Sequence, residues 1–224
     1  MNVLIFGATG MVGQGVLREC LAAGDVGLVK TIGRSPTGGQ HPKLRELVHA
    51  DMWNYDGIDE ELADFDACFF CIGVTSTGLA EKAYTRITYD MALAAASTLA
   101  RLNPRMVFIY VSGAGADSSE TSKTMWERVR GKTENALLKL PFRGVHIFRP
   151  GMIRPMDGIK SKTVAYRVFY SLIKPLLPLL HAGMPNHVLS TRQMGQAMLA
   201  VVRHGAPKRV LEMGDIAAMT RTRR

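Results

Sequence analysis

Apolar residues fall into two alternating rhythms along the chain. Short unbroken runs, Asn2-Val3-Leu4-Ile5-Phe6 first among them, read as strands buried on both faces. Behind Phe6 the spacing changes: Met11, Val12, Val16, Leu17, Cys20 and Leu21 recur at helical intervals, and Gly24 supplies a stop. The same alternation predicts strands over residues 29–32, 47–50, 67–72, 106–111 and 145–148, with helices over 79–102 and 123–140. Strand and helix repeated in this order predict an α/β fold, a doubly wound parallel sheet of Rossmann type.

Past Pro150 the rhythm breaks. Residues 163–180 are long and apolar, but Arg167, Lys174, Pro175 and Pro178 interrupt them, which argues against a membrane span. They read as helix and turn closing a pocket, with contact at a membrane surface the lesser alternative. Residues 190–203 read as an amphipathic helix, residues 209–213 as a last strand, and Arg221-Thr222-Arg223-Arg224 as a frayed terminus. One domain, residues 1–224, is therefore expected, with 151–224 supplying a short C-terminal substrate-side cover and closing elements.

Between the first strand and first helix lies Gly7-Ala8-Thr9-Gly10-Met11-Val12-Gly13. Glycines here allow a sharp turn, close approach of a pyrophosphate to the backbone, and tight packing of the new helix. The anion then meets unpaired N–H groups at the helix N-terminus. The alternative is a glycine turn with no ligand, but a strand before, a helix after and further βα units favour phosphate binding.

The Gly-x-x-Gly-x-x-Gly spacing resembles the extended and atypical short-chain dehydrogenase/reductase superfamily over nearly the whole chain. Within it the sequence is similar to small NAD(P)-binding proteins of a nucleoside-diphosphate-sugar epimerase subgroup, which includes relatives of the Tat-interacting oxidoreductase-like protein. Residues 125–135, Met-Trp-Glu-Arg-Val-Arg-Gly-Lys-Thr-Glu-Asn, and Phe148-Arg149-Pro150-Gly151 carry that likeness. It implies that Asp51 and Met52 contact the adenine, that Cys71, Ile72 and Gly73 line the adenosine ribose, and that Pro150 and Gly151 pack near the nicotinamide. For the last two the alternative is an ordinary strand-to-helix turn.

The coenzyme follows from one position. Where an NAD-selective site places an acid about 20 residues after the glycine loop, this chain has Gly33-Arg34-Ser35. A guanidinium at Arg34 can pair with a 2′-phosphate, so NADP(H) is expected over NAD(H). An exposed loop arginine without a ligand is the alternative.

Hydride chemistry in the superfamily usually rests on Ser, Tyr and Lys. The Tyr and Lys stand four apart on one helix face, where the ammonium lowers the tyrosine pKa and holds the ribose. Here Ser112 fits the serine role, but the helix reads Trp126-Glu127-Arg128-Val129-Arg130. An indole is only an N–H donor, and Arg130 stays protonated, able to bind ribose or phosphate oxygens but not to exchange a proton. Lys123 and Lys132 have the wrong spacing, and Tyr110, Tyr166 and Tyr170 have no motif to place them. Ser112 and Arg130 are the candidate catalytic residues, and Trp126 puts ordinary tyrosine-based reduction in doubt.

Composition changes this picture little. A content of 47% hydrophobic and 21% charged residues is that of a folded protein. Charge is uneven: residues 1–112 carry 9 basic and 12 acidic side chains, whereas 113–224 carry 19 and 7. A basic half suits a phosphorylated cofactor or acidic substrate, a membrane surface or a nucleic acid, or is simply solvated surface. No nucleic-acid motif accompanies it. Three cysteines cannot build a disulfide framework, and no signal peptide precedes the first strand, so a reducing, cytoplasmic setting is expected. Cys68 and Cys71, three apart in an apolar run, are expected in the core on opposite faces. The six histidines, His181 and His187 among them, show no metal-ligand spacing. The sequence thus leads to an NADP(H)-binding oxidoreductase or epimerase-like enzyme acting on a small molecule. The alternative is a non-catalytic NADP(H)-binding redox sensor working through a protein partner.

Overall fold

Residues 1–159 and 188–220 are described by the computed structural model. In β1 (Asn2–Phe6) successive side chains leave the strand on opposite sides, Val3 and Ile5 into one apolar layer and Leu4 and Phe6 into another. β4 (Ala67–Phe70) and β5 (Val107–Val111) repeat this, which is why their sequences are apolar without alternation. Helices α1 (Met11–Ala22), α6 (Thr191–His204) and α7 (Met213–Met219) cover the first face. The short α2 (Asp59–Leu62), with α4 (Met91–Leu102) and α5 (Met125–Leu137), covers the second. Aromatic rings fill the second layer, with Phe70 at 5.4 Å from Phe6 and 5.9 Å from Tyr110.

Seven parallel strands form the sheet. From one edge they are β3 (Leu44–Val48), β2 (Leu28–Gly33), β1, β4, β5, β6 (Gly144–Arg149) and, last in the chain at Val210–Glu212, β9. The chain winds outward in one direction from β1 and in the other from β4. Their carboxyl ends therefore border the crevice where ligands bind in such sheets. β7 (Met152–Arg154) and β8 (Val188–Ser190) pair beside this sheet as a second parallel unit that the apolar pattern does not announce.

Two predicted elements differ from the fold. The third strand begins at Leu44, three residues earlier than its apolar run, because an edge strand is buried on little of its length and Val48 is 56% exposed. Residues 79–102 are not one helix: α3 (Glu81–Thr85) passes through a π turn, Arg86–Asp90, into α4. A wider turn leaves the apolar spacing nearly unchanged, so periodicity does not reveal it. Residues 163–180, His181, His187 and 221–224 lie outside the described residues.

α6 locks the carboxyl-terminal part onto α1. Its start is fixed by Ser190, whose Oγ accepts from the Gln193 backbone N–H at 3.1 Å while the Gln193 side chain accepts from the Ser190 N–H at 2.9 Å. The two helices approach so closely that a Cβ on Gly15 would stand 2.6 Å from Thr191. A methyl added to an exposed helix glycine ordinarily stabilises, yet here overpacking wins, and Gly15→Ala should cost about 1–3 kcal/mol in urea unfolding. Gly24→Ala, placed in open space, is the control and should stay within about 1 kcal/mol of the wild type.

Candidate functional site

The glycine loop closes on the neighbouring strand end. Gly7 has φ +76°, and a Cβ there would lie 2.8–2.9 Å from backbone atoms of Cys71 and Ile72. A Cβ on Gly13 would overlap the Gly7 carbonyl. The Gly10 N–H donates to the Gly7 carbonyl at 2.9 Å, and Gln14 reaches back to the Thr9 carbonyl at 3.1 Å. Gly10 caps α1 with no side chain, and no acidic residue occupies the first turn where Met11, Val12 and Gly13 sit. That terminus therefore presents backbone N–H groups and the positive end of the helix dipole with no anion of its own. A cleft of about 690 Å³ runs from Ala8 and Thr9 along the outer side of α1 to Thr37 and His41.

From Gly7 the backbone leads across the crevice through Cys71 and Ile72 to Gly73 and then to Arg130. The Arg130 guanidinium lies 3.9 Å from where Gly73 and Gly113 would carry a Cβ. It thus occupies the ends of β4 and β5, next to the switch between β1 and β4. No ion pair involves it among the described residues. The indole of Trp126, one turn earlier on α5, rests on the backbone at Gly115. Glycine turn, strand ends and guanidinium form one continuous line.

Ser112 stands at the end of β5, but its hydroxyl points into the protein. It donates to Glu134 Oε1 at 2.5 Å, and Glu134 is 0% exposed. The same carboxylate is held by Arg149, through Nε to both oxygens at 3.1 Å and through Nη2 at 2.5 Å. Arg149 also reaches Glu212 at 3.1 Å and the Ser118 hydroxyl at 2.6 Å. The guanidinium is thereby committed to this network and does not face the crevice. Glu134 escaped the sequence reading, although one signal was present: an acidic residue sharing the buried face of α5 with Val129, Thr133 and Leu137.

Arg34 follows the last residue of β2 and is exposed, with no acidic partner among the described residues. Asp51 accepts from the Trp53 N–H at 3.0 Å, whereas Met52 is buried and its carbonyl accepts from the Tyr55 hydroxyl. The Pro150 carbonyl receives the Ala114 N–H at 3.0 Å, tying the ends of β5 and β6, and Gly151 beside it is exposed. Cys68 packs in the second layer and Cys71 against the first, the opposite faces expected of them. Burial pushes the Cys71 thiol up to about 12 and Cys68 well above the ordinary cysteine range, so neither is a nucleophile at neutral pH. No cluster of metal-ligating side chains occurs among the described residues.

Residues 3–131 match a family model described as the NAD dependent epimerase/dehydratase family. The chain belongs to that family. Protein fmp52-2, mitochondrial, of Aspergillus oryzae is 26% identical over 228 residues, 97% of this chain and 96% of its own length. Protein HTATIP2 of Rattus norvegicus is 28% identical over 155 residues, 68% of this chain and 62% of the rat protein. Among solved structures, the Bordetella bronchiseptica enzyme WbmF in complex with NAD+ superposes with a TM-score of 0.69 at 15% identity, over 97% of this chain and 76% of that one. Gre2 from Candida albicans in complex with NADPH gives 0.70 at 12%, over 95% and 77%. These two show the shared Rossmann-like fold of nicotinamide-dinucleotide-binding family members.

The relatives correct one expectation. Fungal fmp52 proteins similar to this chain are named mitochondrial, which overturns the cytoplasmic setting inferred from cysteine usage. Unpaired buried thiols report that disulfides are absent, not which reducing compartment holds the protein. No helix among the described residues is long and apolar enough to cross a membrane.

Breaking the Glu134 network should be costly. Glu134→Ala takes away the buried partner of Arg149, which keeps Glu212 and the Ser118 hydroxyl, and should lose about 3 kcal/mol in urea unfolding, the low end for a broken buried pair. Ser112→Ala removes one hydrogen bond and should lose only about 1–2 kcal/mol. An unchanged midpoint for Glu134→Ala would contradict a stabilising link between α5 and Arg149.

Proposed function

We propose that the protein binds NADP(H) across the carboxyl ends of β1, β4 and β5 and exchanges hydride with a small molecule there. The observation that carries this is the unbroken line from the Gly7 turn through Cys71, Ile72 and Gly73 to Arg130. The residues fit the cofactor. Backbone N–H groups at Met11 and Val12 would hold the pyrophosphate, and a side chain at Gly7 or Gly13 would fill the space the turn needs. Arg34 would meet the 2′-phosphate, Asp51 the adenine side, and Pro150 with Gly151 the nicotinamide side. Bound dinucleotide supplies or accepts the hydride.

What the chain's own residues do departs from the usual trio. Arg130 offers fixed positive charge to oxygens in the crevice and cannot take up or release a proton. Trp126 can donate one hydrogen bond through its indole N–H but cannot act as an acid. Ser112 donates its hydrogen bond to Glu134, so it fixes the strand end and has no O–H left to donate to the crevice. A substrate that gains a proton must therefore draw it from solvent, which suits an electron-poor acceptor better than a simple ketone. Those two substitutions and the inward Ser112 favour a second role, an NADP(H)-binding redox sensor that works through a protein partner without turnover.

Two measurements separate these outcomes. By calorimetry NADPH should bind about tenfold more tightly than NADH, and Arg34→Asp should reverse the order, the size expected for a hydrogen bond to a charged group. Equal affinities would overturn the NADP(H) assignment. NADPH consumption with a panel of carbonyls, quinones and sugar nucleotides then decides between enzyme and sensor. Under the enzyme reading Trp126→Phe, which removes the indole N–H, should lower turnover about 10-fold.

A further inference from the structure

α3 supplies none of the crevice backbone, yet it delivers a phenol to the site. Tyr84 is 1% exposed, and its hydroxyl accepts a hydrogen bond from Nε of Arg130 at 3.0 Å. Tyr110, on β5, is likewise buried and acts on the guanidinium electrostatically. Glu134 stands nearby, but its oxygens are taken by Ser112 and Arg149. Burial opposes the Arg130 charge, and Tyr110, the Tyr84 hydroxyl and the Glu134 carboxylate favour it, leaving the guanidinium above its ordinary pKa.

One bond at Nε fixes more than one atom. A guanidinium is planar and rigid, so anchoring Nε–H sets the direction of both terminal nitrogens. Those nitrogens lie over Gly113 and Gly73, where no side chain intervenes. Nη1 and Nη2 have no acceptor among the described residues, so their donors are left for a ligand.

We propose that Tyr84 is the positioning residue of this site: from behind, it orients Arg130 so that Nη1 and Nη2 together meet adjacent oxygens, such as the vicinal hydroxyls of the nicotinamide ribose. The phenol cannot serve as the missing acid, because it is sealed behind a guanidinium that stays protonated and relays nothing. A phenol and a cation thus stand together as in the usual pair, but from two elements, with the phenol supporting the cation and not touching substrate. This rests on dinucleotide binding at the switch point, as proposed above.

The test compares NADP+ with 2′,5′-ADP, which carries the adenine half and lacks the nicotinamide ribose. Tyr84→Phe should weaken NADP+ about tenfold in calorimetry, the size of a lost hydrogen bond to a charged group, and leave 2′,5′-ADP within about twofold. In an Arg130→Ala background, where the guanidinium is gone, Tyr84→Phe should add no further loss. Thermal unfolding of both variants checks that they fold. Equal weakening of both ligands would reduce Tyr84 to a structural role, and unchanged NADP+ affinity would overturn the proposal. If the wild type binds 2′,5′-ADP and NADP+ equally well, Arg130 makes no ribose contact and the inference fails while the phosphate loop stands. If it binds neither, dinucleotide binding itself fails.

Discussion

A carboxylate sealed inside a protein must be neutralised where it stands, since an isolated buried charge costs several kcal/mol. Glu134 meets that requirement with the Ser112 hydroxyl and the Arg149 guanidinium, and so joins α5 to the ends of β5 and β6. Arg149 carries the link onward to Glu212 at the end of β9. One side chain thereby sets how α5 lies over the carboxyl edge of the sheet. Arg130, one turn earlier on the same helix, stands between Gly73 and Gly113 as a result.

That arrangement also sets what this member of the epimerase/dehydratase family presents at its carboxyl strand ends. Ser112 donates inward to Glu134, and α5 carries an indole at Trp126 and a guanidinium at Arg130. An indole can only donate a hydrogen bond, and a guanidinium can only donate hydrogen bonds and hold charge. In the function proposed above, such groups would grip an anionic cofactor and leave any proton to solvent.

Charge follows the same tertiary logic. The basic second half of the chain folds back on the acidic first half: Arg203 pairs with Asp25, Arg192 approaches Glu19, and Arg128 pairs with Glu81. Part of the asymmetry is thus surface pairing between the two halves, each pair individually worth little. Arg34 and Arg130 differ in having no acidic partner among the described residues, and both stand at carboxyl strand ends.

Periodicity and turn chemistry act between near neighbours, so the chain alone revealed the parallel sheet, the glycine turn at Gly7–Gly13, and the cysteines divided between two faces. The edge strand β3 was misplaced because partial burial leaves a weak apolar mark, and the π turn was invisible because it barely disturbs helical spacing. Glu134 with Ser112 and Arg149, and Tyr84 with Arg130, are partners 15 to 46 residues apart. Nothing local selects them. Strand order and helix packing bring them together, and only that placement decides which way Ser112 points and which nitrogens of Arg130 remain to meet a ligand.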